Sequence, residues 1–449
     1  MTEGLENLPA PPPLPERDRR PGLWCWPVIV GAVLAIALMP YLDSAAREQT
    51  ETEDGLSQLA VLQLQSRLLI GLSAIDRAQV AKELDELNEL ITDDRSAAAV
   101  ALVHAFVGEQ EGREKAVAIL ERQAGEEGGE TPLTEWARKA LDVGVTPAER
   151  AMLSQHLGWF AHLMPASGED GGGAVPRADE IRRSGLISMF ITAGLTLLVI
   201  LALMTGVILL VYVLARKRRG EFSTAFDRTR LPARIFLESF AIFMAAIGLG
   251  SVGGLFLNPL VQIALVLGGL ACGLLWPRIR GLSWRETRKS LGWHRGRGFF
   301  REVGAGAAGY IAMLPIALAG IGISALLASL APSESMAHPA VGGMLGDWPQ
   351  RIFLFVLAAV FAPLMEETVF RGAFYRSLRF GNGVLIAGLV NGIIFAALHP
   401  QGWMGIPALT AMGFGFALIR EWRDSLIAPM TAHAINNGLL VGGLALLLD

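Results

Sequence analysis

The stretch from Leu186 to Leu214 contains no charged residue, and Arg216-Lys217-Arg218-Arg219 close it. A bilayer core asks for about 20 consecutive apolar residues in a helix. A run of this length and purity commits the chain to a membrane. Eight comparable stretches lie at Trp24 to Leu42 and near 235–255, 259–276, 304–330, 350–370, 383–400, 405–420 and 425–448. With 52% hydrophobic and only 18% charged residues among 449, the composition is that of a polytopic membrane protein. Backbone groups in lipid must be paired within their own segment, which favours helices. The expected fold is all-α, a polytopic transmembrane helix bundle of about nine spans.

Charge placement predicts the organisation along the chain. Residues 1–22 are Pro-rich and polar, end in ERDRRPG, and read as a disordered cytoplasmic tail. Residues 23–42 read as a membrane anchor span. No A-x-A-like cleavage site follows it, and Arg17, Arg19 and Arg20 favour an N-terminus inside. The Arg216–Arg219 cluster closes the second span, 186–214, on the cytoplasmic side. Residues 43–180 are therefore expected to form an inserted extracytoplasmic helical module. Leu56, Leu59, Leu62 and Leu64 open one helical pattern there, and Val80, Leu84, Leu87 and Leu90 another. The run from Ala97 to Gln123 reads as a helix pair. Thr131-Pro132 and Thr146-Pro147 read as helix starts, and Thr146 and Glu149 have capping-box spacing. The Gly-rich stretch 167–176 reads as a linker.

Residues 233–449 form the remaining polytopic region. The basic loop before 304 reads as cytoplasmic and the acidic loop 331–349 as outward-facing. Arg371, Arg376, Arg379, Arg420 and Arg423 then lie inside. No basic tract resembles a nucleic-acid footprint. The two cysteines, Cys25 and Cys272, sit in separate apolar segments, which argues against a disulfide framework. Compact loops and the lack of organelle signals point to a bacterial plasma membrane.

The C-terminal third is polar where it should be greasy. The apolar run from Arg351 ends in Glu366-Glu367-Thr368-Val369-Phe370-Arg371. One acidic residue at the centre of a membrane helix costs about 2.5–3.5 kcal/mol on insertion scales. Two adjacent ones need compensation. Glu367 and Arg371 are four apart and share a helix face, whereas Glu366 is rotated by about 100°. Phe395 and His399 are one turn apart in the next segment, as are His433 and Asn437 in the last. Each pair has a plain alternative: a snorkelling helix end, a helix-terminating histidine, an interhelical hydrogen-bond pair. Jointly they predict a polar site assembled among helices. Two His and one Glu would also suit zinc, although no H-E-x-x-H motif is present. No G-x-S-x-G elbow and no paired membrane aspartates support a serine or aspartyl protease. Polar residues among broken helices also mark transporter pathways.

EETVFR, FAALH and HAINN, in that order on successive apolar segments, resemble the three motifs of the CPBP family. These are the CAAX-type prenyl endopeptidases and bacteriocin-processing relatives, often called Abi or CAAX protease self-immunity proteins. Their pattern is E-E-x-x-x-R, then F-x-x-x-H, then H-x-x-x-N. The resemblance covers about residues 300–449; residues 1–220 lie outside it.

The resemblance implies a metal-independent, cofactor-free glutamic endopeptidase working within the membrane. Glu366 would be the general base, acting with His399 on a water. His433 and Asn437 would form the oxyanion hole. Glu367 and Arg371 would support them, and Phe395 would pack beside the site. The implied substrate is a membrane-associated protein or peptide, the implied surroundings the bilayer, and nucleic acid is not expected. A protein partner for the module is a further expectation. A non-catalytic scaffold or bacteriocin-immunity-type protein of the same fold is the alternative.

Overall fold

A computed structural model of the chain describes residues 22–42, 44–167, 174–221, 223–226, 233–253, 258–330, 343–399 and 401–448. The Pro-rich tail (save Gly22) and most of the 167–176 linker and the 331–349 loop lie outside them. Apart from one isolated bridge between Val145 and Ala166, the regular structure described is helical.

In chain order the helices are α1 (Cys25–Leu42), α2 (Ser44–Ser73), α3 (Arg77–Glu86), α4 (Asp94–Val107), α5 (Glu109–Glu127), α6 (Pro132–Val143), α7 (Pro147–Leu157) and α8 (Ala178–Arg218). Then follow α9 (Ala233–Gly253), α10 (Pro259–Ile279), α11 (Trp284–Leu291), α12 (Phe299–Leu330), α13 (Trp348–Gly381), α14 (Val384–Ala397), α15 (Gly402–Arg423) and α16 (Ile427–Leu447). Seven of them, α8, α9, α10, α12, α13, α15 and α16, are long and apolar enough to cross a membrane. The other two expected spans coincide with shorter apolar helices, Cys25–Ala37 within α1 and Val384–Ala397. At 1.5 Å per residue α14 is only about 21 Å long, against a hydrocarbon core of about 30 Å.

The chain divides into two compact units. One spans Glu51–Leu201, Ala337–Phe355 and Leu440–Asp449 and contains the helical module. Its core is α4, whose residues from Ser96 to His104 are all buried. The small side chains of Ala97, Ala98, Ala99 and Ala101 let neighbours close on every face, and Leu62, Ile70, Val80, Leu120 and Phe160 do so. The module's helix starts follow local chemistry. Thr131 and Thr146 cap α6 and α7, each with proline at the first helical position, where its missing N–H costs nothing. Glu149 closes the reciprocal box on Thr146. Asp93 and Ser96 do the same for α4, a box not anticipated from the sequence.

The other unit comprises Met1–Thr50, Ala202–Met336 and Val356–Leu439. Within it α9 packs on α1 and α10, and α15 packs on α12 and α14. The one acid in α9, Glu238, is buried and paired. It accepts from Arg234 at 2.9 Å and from the Trp276 indole at 2.8 Å, and Arg280 also donates to it. A membrane carboxylate is tolerable on such terms.

Candidate active site

Helix α13 is not a plain α-helix, and its irregularities present the acidic pair. Leu357–Phe361 and Thr368–Phe374 are wound as π-turns. In the first, the Ala362 N–H reaches back to the Leu357 carbonyl; in the second, the Tyr375 N–H reaches back to Phe370. Pro363, with no N–H to donate, sits just beyond the first turn. Glu366 and Glu367 lie on the short α-helical stretch between the two π-turns.

Glu367 is wholly buried, and its charge is met by Arg371 one turn on, Nη1 donating to Oε1 at 2.9 Å. Arg371 is itself fully buried and donates from Nη2 to the Gly413 carbonyl at 2.9 Å. Its guanidinium lies 4.6 Å from the Phe395 ring centroid and 5.3 Å from that of Phe416, a cation–π setting. Gly413 is required by this approach. A Cβ there would meet Arg371 Nη2 at 3.2 Å and the Gly392 Cα at 2.9 Å, so α14 and α15 could not close around the guanidinium.

His433 joins the same carboxylate from α16, Nδ1 lying 2.9 Å from Glu367 Oε1. An ionised carboxylate only accepts, so Nδ1 carries a proton. The opposite nitrogen, Nε2, lies 3.9 Å from Glu366 Oε2. Phe416 stacks on the imidazole at 4.8 Å and 19°, and Phe395 meets it edge-on at 6.0 Å. Glu366 is more open than its neighbour, with 23% of its side chain exposed, and its Oε2 accepts from no described group.

His399 lies two residues past the end of the short α14. Its Nδ1 donates to the Phe395 carbonyl at 2.7 Å, which turns Nε2 away from its own helix. Its ring lies 4.4 Å from that of Phe395. No hydrogen bond or ion pair joins Glu366 to His399; the imidazole beside Glu366 is that of His433. Asn437 lies one turn after His433, and its Nδ2 donates to the Ala358 carbonyl at 2.9 Å.

Several contributors were not read from the sequence. Asn391 is fully buried and donates to the Phe370 carbonyl at 2.9 Å, inside the second π-turn. As the lone polar side chain of α14, four residues before Phe395, it carried a legible signal. Thr368 is bonded to the Leu364 carbonyl and accepts from the Trp293 indole at 3.1 Å. Phe416 and Gly413 carried none, since their roles depend on helix crossing.

The donor set bears on metal chemistry. Glu367 is committed to a guanidinium and an imidazole N–H. Among the described residues, no group of three His, Cys, Asp or Glu side chains is arranged to hold a metal ion.

Residues 348–439 match the family described as type II CAAX prenyl endopeptidase Rce1-like. The chain is 34% identical over 97 residues to the membrane-embedded CAAX protease MroQ of Staphylococcus aureus (strain USA300), covering 20% of this chain and 38% of that protein. It is 27% identical over 88 residues to the protein named putative membrane peptidase YdiL of Bacillus subtilis (strain 168), covering 20% of this chain and 36% of that protein. YpbD of the same organism, uncharacterised by name, is 38% identical over 90 residues, covering 19% and 41%. The chain thus spans about two fifths of the length of these relatives. No solved structure matches it significantly.

Proposed function

Residues 348–439 make this multi-pass membrane protein a member of the CPBP family, and from that premise we propose that it is an intramembrane endopeptidase. Its substrate class is the peptide bond of a membrane-associated protein or peptide, CAAX-type chains among them, since MroQ is named for that activity. The observation that carries the reading is the position of His433, one ring nitrogen on Glu367 and the other facing Glu366.

In this reading Glu366 is the general base, and His399 Nε2 orients the attacking water by accepting a hydrogen bond from its second O–H, which stays on the oxygen and ends in the product carboxylic acid. The water oxygen adds to the scissile carbonyl carbon while Glu366 takes a proton. Glu366 then returns that proton to the departing amine as the C–N bond breaks. The carbonyl oxygen becomes an oxyanion, met by N–H groups of Asn437 and of His433 as an imidazolium. Each such preorganised donor is typically worth 10²–10³ in rate. Glu367 and Arg371 serve as its support. With His433 protonated, two carboxylates face two cations, so the buried cluster carries no net charge and avoids an unpaired ion.

Residues 43–180, on the outer side of a bacterial plasma membrane, would recruit a partner or substrate. The test is to compare protein termini in cells complemented with wild type or with Glu366→Gln at matched levels. Termini that depend on the carboxylate support the reading. Identical termini, with the variant rescuing any null phenotype, would leave a non-catalytic scaffold.

A further inference from the structure

A directional chain of amides runs from α13 to α12 through the site. It begins at Pro363. In the first π-turn the Ala362 N–H pairs with Leu357. The same register continued by one residue would pair residue 363 with the Ala358 carbonyl, and proline has no N–H. The helix therefore leaves that carbonyl open, and Asn437 Nδ2 fills it at 2.9 Å. A carbonyl only accepts, so the nitrogen end of the Asn437 amide must face Ala358 and the oxygen end must face away. At that oxygen stands Asn436, whose Nδ2 donates at 3.1 Å. The Asn436 oxygen in turn faces the Tyr310 hydroxyl on α12 at 3.5 Å. Turning the Asn437 amide over would set oxygen against oxygen at Ala358 and N–H against N–H at Asn436, and turning Asn436 over would set its oxygen against that of Asn437.

We propose that Asn436 and Tyr310 are positioning residues that fix the rotamer of Asn437, so that one of its two N–H bonds is spent on Ala358 and the other is free for the oxyanion. The assignment rests on the reading of Asn437 as an oxyanion donor. Neither residue belongs to the H-x-x-x-N pattern, and neither touches the reacting atoms. The hydroxyl link is the longest of the three and hence the weakest. Asn436 is therefore the stronger positioning group and Tyr310 the lesser.

The experiment uses the full-length protein in nanodiscs with a peptide whose cleavage depends on Glu366. Asn436→Leu should lower kcat about tenfold with KM unchanged, and Tyr310→Phe about threefold. Both losses should vanish in an Asn437→Ala background, because nothing remains to be positioned. Losses that multiply in that background, or a rise in KM alone, would overturn the proposal. If Asn436→Leu fails to fold, Asn436→Asp is its near-isosteric substitute, since a carboxylate cannot donate to Asn437. A second readout separates the two claims. With 15N-asparagine labelling, the Asn437 side-chain amide pair is assigned by its loss in Asn437→Ala. Displacement of that pair by Asn436→Leu supports positioning even if Asn437→Ala keeps full kcat, an outcome that removes only the oxyanion role. An unmoved pair overturns the positioning claim whatever the kinetics.

Discussion

Glu367 and His433, 66 residues apart, share one hydrogen bond of 2.9 Å in a setting where both are almost fully buried. That contact ties the last helix to the acidic pair of α13. It also requires a proton on Nδ1, and so turns Nε2 toward Glu366.

Removing Arg371 should destabilise the protein rather than merely slow it. Arg371→Ala leaves the Glu367 carboxylate buried and lacking its guanidinium, a change that typically costs about 3–5 kcal/mol. Thermal unfolding in detergent should show a large fall for Arg371→Ala and a smaller one for the double variant Arg371→Ala with Glu367→Leu. An Arg371→Ala protein as stable as wild type would remove the pair from the account.

Asn391 should behave as a structural prop of the second π-turn. Its bond to the Phe370 carbonyl is buried, so Asn391→Ala should lower stability by about 1 kcal/mol. The same unfolding assay measures it, and an unchanged midpoint would mean the π-turn holds without its amide.

How much of this was legible depends on what each signal measures. Hydropathy reports composition, so the presence of the long apolar helices could be read directly, but not their ends: the helix expected at 350–370 runs on to Gly381. The Thr146-Pro147 start and the Glu367–Arg371 pair rest on contacts within one or two helical turns, and both were visible for that reason. Composition is blind to hydrogen-bond register, which is why the π-turns flanking Glu366 and Glu367 were not foreseen. At 383–400 composition likewise could not show the length of the helix: the residues are apolar throughout, but the helix is Val384–Ala397. Phe416 stacks on His433 only because α15 and α16 meet in space, and a chain order cannot show that.

Glu149, in the helical module and in none of the candidate spans, offers a pH signature. A hydrogen bond from Lys139, with two more from Thr146, holds its carboxyl down at about 2 rather than 4.5. A depressed carboxyl contributes stability that is complete above its unfolded value and fades as pH falls from about 4.5 through about 2. An NMR titration of the Glu149 side chain should place its midpoint well below the ordinary value, and Lys139→Met should raise it. A midpoint near 4.5 in wild type would contradict the capping geometry.

Chelation distinguishes the glutamate mechanism from the zinc alternative. If Glu366 activates water unaided, o-phenanthroline or EDTA followed by desalting should leave peptide cleavage unchanged. Loss on chelation with recovery on added Zn²⁺ would reassign Glu366, His399 and His433 as ligands.

The central claim is that Glu366 is the base, and Glu366→Gln tests it most directly because the amide keeps the shape and loses the proton acceptor. Purified wild type and variant in nanodiscs, matched for unfolding temperature, would be assayed on one membrane peptide identified from carboxylate-dependent termini. The account predicts a kcat at least 10³-fold lower for Glu366→Gln, with substrate binding retained. Comparable turnover by the two proteins would contradict it.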